Sequence, residues 1–101
     1  MGEKELTDLE MLKRARKRLS SESAWGKGHY DYGGRMCIVG ACGGLFTPHA
    51  VRETLRNSVR KLYPSQLPEV RTLVRWNDLL EVTHEQVLAV LDDAISKCGL
   101  G

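Results

Sequence analysis

The chain has 101 residues, 42% of them hydrophobic and 28% charged, a balance that supports one packed domain and argues against disorder. No uncharged stretch approaches the ~20 residues of a membrane span, and the acidic opening Met1-Gly2-Glu3-Lys4-Glu5 reads neither as a signal peptide nor, with Leu6 where a hydroxyl residue is needed, as a myristoylation site. The net charge of +2 conceals a segregation, −3 over residues 1–12, +9 over 13–75 and −4 over 76–101, and a basic middle bears on partners rather than on fold.

Residues 1–5 are expected to be flexible. The first helix then opens on a capping box of Thr7 and Glu10, with Leu6 placed to meet Met11 as a hydrophobic staple. Leu9, Leu12, Ala15 or Arg16, and Leu19 recur at helical spacing. Lys13, Arg14, Arg16, Lys17 and Arg18 occupy the rest and read as a solvated face, near the helix end where cations suit the dipole. Ser20-Ser21-Glu22-Ser23 ends the helix. Residues 24–34 read as a glycine-rich loop; Trp25, Tyr30 and Tyr32 within it are half of the six aromatics, and their rings are expected to pin it to the body.

From Met36 to Gly44 no residue is charged. A segment apolar on every side must be surrounded by protein, so this one belongs at the centre of the core. Ile38 and Val39 favour strand, whereas Met36, Ala41 and the helical neighbours favour helix. The expectation is a short buried helix over 36–45.

Thr47-Pro48 reads as an N-cap followed by proline at the first helical position. The helix should run to about Tyr63, with Val51, Leu55, Val59 and Leu62 inward and Pro64 as the stop. Arg52, Arg56 and Arg60 fall on one line beside that stripe, each four residues from the next. Glu53 is placed about 100° round from Arg52 and is expected to point elsewhere. A fourth helix is expected from Pro68, carrying Val70, Leu73, Val74 and Trp76, with Trp76 as a core anchor. Asn77 and Asp78 should then form a turn by bonding backbone. Thr83 and Gln86 spell a second capping box before Val87, Leu88, Val90, Leu91, Ala94, Ile95 and Cys98, and Gly99 reads as the residue just past the helix end. The whole predicts an all-α single domain over 1–101, about five helices around a short buried central one.

Trp25-Gly26, Cys37-Ile38-Val39-Gly40-Ala41, Trp76-Asn77-Asp78, and Thr83 followed by Glu85-Gln86-Val87-Leu88-Ala89-Val90-Leu91-Asp92-Asp93-Ala94-Ile95 occur in that order. This resembles a family of small proteins of unknown function from actinobacteria and their bacteriophages, marked by a Cys-x-x-Gly-Ala segment and a Trp-Asn-Asp motif. The resemblance runs from Met11 to Ala94. It implies an all-helical cytoplasmic protein, of bacterial or phage origin, and no activity.

Three cysteines without a secretory signal also predict reduced thiols in a cytoplasm. Cys37, after Gly33-Gly34 and at a helix start, has the placement of a nucleophile, with His29, His49 and His84 as candidate bases and Asn77 or Asp78 as orienting groups. Its apolar neighbours Met36 and Ile38 favour a buried structural thiol instead, and the same holds for Cys42. No paired metal-ligand spacing and no dinucleotide or phosphate-loop fingerprint occurs, so no metal or cofactor is expected. The favoured function is therefore a non-enzymatic interaction protein. Its candidate binding residues are Arg52, Arg56, Arg60, Arg71 and Arg75, and its partner an acidic protein surface. Nucleic acid on the same face is the alternative, cysteine hydrolysis at Cys37 a weaker third, and no membrane is implied.

Overall fold

Thr7 starts the first helix with both bonds of a capping box: the Glu10 amide donates to its hydroxyl at 3.1 Å, and its own amide donates to the Glu10 carboxylate at 2.9 Å. This helix, α1, covers Asp8–Arg18 in a computed structural model that describes residues 6–28, 31–66 and 72–100. Residues 1–5, expected to be flexible, lie outside that description. So do His29, Tyr30, Arg71 and the expected helix start at Pro68.

Leu12 and Ala15 of α1 and Leu19 at its C-cap are fully buried. The loop that follows is more ordered than a glycine-rich composition predicts. A 3-10 turn over Glu22–Ala24 leads to Trp25, which bridges Met36 in parallel. Strands β1 (Asp31–Tyr32) and β2 (Arg35–Met36) pair antiparallel around Gly33-Gly34. Both glycines have positive φ, 60° and 82°, the backbone of a two-residue hairpin whose twist matches its strands. Met36 is thus strand, not the first residue of the central helix.

That helix, α2, is only Ile38–Cys42, and Ile38, Val39, Ala41 and Cys42 are all fully buried. Helix prevails over strand because Cys37 caps it, its sulfur accepting the Gly40 amide at 3.3 Å. Gly44, at φ 61°, turns the chain into a 3-10 turn over Gly44–Phe46. Thr47 does not cap the next helix. Its hydroxyl donates instead to Gly44 O at 2.8 Å and Val39 O at 3.4 Å, which ties it to α2 and leaves Pro48 as the N-cap of α3 (His49–Leu62).

Helix α4 is Leu73–Asn77, opened by Thr72, whose hydroxyl accepts the Arg75 amide at 3.2 Å. Trp76 is fully buried, stacked on Tyr63 with ring centroids 6.4 Å apart, and its indole N–H donates to Gln66 at 2.9 Å. Helix α5 is His84–Leu100. Its cap is half a box: the Gln86 amide donates to Thr83 at 3.3 Å, but Gln86 Oε1 has no partner among the described residues. It also runs through Gly99, since a glycine inside a helix costs only about 1 kcal/mol.

Helix α1 packs on α5 and α2, α3 on α5, and α2 on α4. The protein is therefore all-α apart from the small hairpin, with α2 enclosed by the others. Among the described residues no helix is long and apolar enough to cross a membrane.

Candidate binding face

The basic residues separate into two populations once their partners are known. The last carbonyls of a helix have no intrahelical donor and carry its negative dipole end. At α2, two guanidinium groups of α1 meet that need, and one from α3 bonds carbonyls of the turn just beyond. Arg14 donates to Cys42 O at 2.8 Å and Arg18 to Ala41 O at 3.1 Å; Arg52 donates to Gly44 O at 3.0 Å and Thr47 O at 3.4 Å. Arg14 and Arg18 are therefore fasteners rather than members of a solvated face, and Arg16 pairs with Asp92 at 2.8 Å.

The remaining arginines of α3 are held loosely. Arg56 and Arg60 each lie 3.7 Å from the carboxylate of Glu53, and Arg60 also donates to Asn57 at 2.8 Å. Glu53 does not point elsewhere. Each four-residue step advances about 40° round a helix, so the arginine line drifts from Arg52 towards the azimuth of Glu53. Arg75, on α4, is exposed and has no partner among the described residues. Arg71 lies outside them.

A cleft of about 160 Å³ opens between α3 and the start of α4, lined by His49, Arg52, Glu53, Arg56, Thr72 and Leu73. A second hollow, bounded by Trp25, Lys27 and Arg35, lies beside the hairpin. Next to the first turn of α3, Phe46 is 91% exposed. Its backbone is fixed by the Thr47 and Arg52 bonds to Gly44 O. Nothing in the sequence separates Phe46 from the buried run before it except Gly44, whose reversal of the chain turns the ring outward.

Asn77 departs from its expected place in a turn, although it does bond backbone groups. It ends α4, fully buried, instead of forming a turn. Its Oδ1 accepts the Trp25 indole N–H at 2.7 Å and the Ile38 amide at 3.0 Å; its Nδ2 donates to Gly26 O at 3.0 Å and Asp78 at 3.3 Å. Asp78 in turn accepts the Gly28 amide at 2.9 Å. Asn77 thus holds the Trp25 loop and α2 together.

The thiols sit in the core. Cys37 is 1% exposed and Cys42 fully buried. Burial pushes the Cys37 thiol above its ordinary value, against the Gly40 and Val39 amides that favour the thiolate. Burial first, then the neighbouring Cys37, pushes Cys42 to about 12. His84, a candidate base, donates instead to Leu19 O at 2.6 Å, and His49 lines the cleft. Among the described residues no three His, Cys, Asp or Glu gather as a metal site would require.

No curated protein matches the chain, and no solved structure does. A family model matches residues 3–97, and the chain belongs to that family, a family of unknown function (DUF6197).

Proposed function

We propose that this member of a family of unknown function is a non-enzymatic binding protein that takes an acidic surface of a partner protein on the outer face of α3. The observation that carries this is the division among its arginines. Arg52 is committed to backbone carbonyls, while Arg56 and Arg60 have only distant ion pairs with one carboxylate, Arg60 adding a local bond to Asn57. Guanidinium groups so placed suit the bidentate recognition of carboxylates. Phe46 supplies an apolar anchor at the edge of the face, already fixed in backbone and nearly all exposed.

Glu53 among the arginines favours protein over nucleic acid. A phosphate backbone rewards every added cation, whereas a mixed face matches the mixed charge of a protein rim. By its resemblance to actinobacterial and phage proteins, the setting would be a bacterial cytoplasm and the partner a host or phage protein.

The test is affinity capture from that cytoplasm, with and without nuclease, using wild type, an Arg56→Glu/Arg60→Glu variant and Phe46→Ala. A partner that survives nuclease, is lost on charge reversal and is weakened roughly tenfold or more by Phe46→Ala supports the proposal. A partner that vanishes with nuclease and weakens steeply with salt makes the face a nucleic-acid contact. The same partner captured by the charge-reversed variant refutes it.

A further inference from the structure

We propose that the cleft between α3 and α4 is an oxyanion subsite for a carboxylate side chain of the partner, and that Glu53 is its internal stand-in, displaced when the partner's carboxylate arrives. This rests on the binding face described above and specifies its chemistry.

The cleft is walled by two guanidinium side chains and an imidazole, with Thr72 and Leu73 opposite. Its volume of about 160 Å³ corresponds to roughly five waters, room for one acidic side chain. The single acid on its wall, Glu53, stands 3.7 Å from both Arg56 and Arg60. That is beyond hydrogen-bond range. Closed ion pairs in the protein are shorter, Arg16–Asp92 at 2.8 Å and Lys61–Asp93 at 3.0 Å, although Lys97–Asp93 is also open at 3.7 Å. Glu53 therefore neutralises the arginines without taking up their donors. Arg56 Nε is sealed from solvent and has no hydrogen-bond acceptor among the described residues. A buried donor in that state calls for an acceptor, and a carboxylate entering the cleft supplies one after a small rotation of the guanidinium group.

Displacement has a plain consequence. A ligand that must displace Glu53 binds more weakly than one that meets only the arginines, so removing the Glu53 charge should tighten binding.

The experiment is a nitrogen-15 NMR titration of the full chain with an acetylated tetraglutamate peptide and, separately, with inorganic phosphate at matched ionic strength. The peptide should shift the Arg56 Nε–H, His49 and Thr72 signals together and saturably. Glu53→Gln should tighten it roughly two- to fivefold, the scale of one exposed ion pair, with an unchanged melting temperature as control. Arg56→Lys, which keeps the charge and loses the fork, should weaken it. The inference is overturned if Glu53→Gln leaves the affinity unchanged, if the shifts spread over all surface cations, or if phosphate fills the cleft more tightly than the peptide. Silence in the cleft while Arg56→Glu/Arg60→Glu still loses the captured partner defeats the subsite alone. A tetraglutamate-filled cleft with capture indifferent to charge reversal defeats the wider proposal alone.

Discussion

The two ends of α4 show the same chain treating polar groups in opposite ways. At its C-terminal end Asn77 is fully buried, and its amide makes four hydrogen bonds, all that its oxygen and nitrogen ordinarily support. At its N-terminal end, across the cleft, Arg56 is part-exposed and, with Arg60 one turn further along α3, shares one distant carboxylate. A saturated buried network makes a unique arrangement of its neighbours and has no capacity left for a ligand. Loosely paired cations contribute little to stability and keep their donors available. The contrast separates polar residues that build the protein from those able to meet something else.

The sharpest way to break the comparison is Asn77→Ala. It strips the buried Trp25 indole N–H and Ile38 amide of their acceptor and Gly26 O of its donor. At about 1–3 kcal/mol for each orphaned group, the loss should be about 4 kcal/mol or more, a large share of the stability of a small domain. Urea denaturation measures it. A loss below about 1 kcal/mol would show that the network is dispensable.

Alkali should come next. Cys42 has its pKa raised by burial from the ordinary 9.0 to about 12. A raised folded value means the unfolded chain releases its proton first. Stability is therefore full below the ordinary value and falls as the pH climbs from about 9 towards 12. Melting temperatures across that range should decline, and Cys42→Ala, though less stable throughout, should decline less steeply. An equal slope in both would place the titrating group elsewhere.

Within α3 the comparison can be sharpened on a single helix. Arg52→Ala removes charge-assisted bonds to two backbone carbonyls and should cost about 1–3 kcal/mol. Arg60→Ala removes one distant ion pair and one local bond and should stay within about 0.5 kcal/mol. Equal losses in thermal denaturation would erase the division between fastening and available arginines.

Much of the scaffold could be read from residue order. Periodicity placed α1, α3 and α5, Thr7-x-x-Glu10 gave its full capping box, and the uncharged run after Arg35 is the centre of the core. The hairpin is also written in the chain, as Gly33-Gly34, but its strands have two residues each, too short to show an alternation of their own. What the order of residues hides is long-range. Arg14 and Arg18 meet carbonyls 28 and 23 residues away. Asn77 meets Trp25 across 52. No local pattern distinguishes an arginine that will find a carbonyl from one that will not. Helix spacing aligned Arg52, Arg56 and Arg60 yet concealed that the first faces inward along the chain and the others face Glu53.

Helix α2 bears on the order in which the protein assembles. It has five residues, far below the 12–15 at which an isolated helix becomes even marginal. Its first amide is held by Asn77, and its last carbonyls by Arg14 and Arg18. Those partners come from α4 and α1, so beyond the Cys37 cap α2 has little to hold its shape before they are in place. The segment at the middle of the core is thus moulded by its surroundings, and its helix is expected to form only together with the tertiary contacts around it.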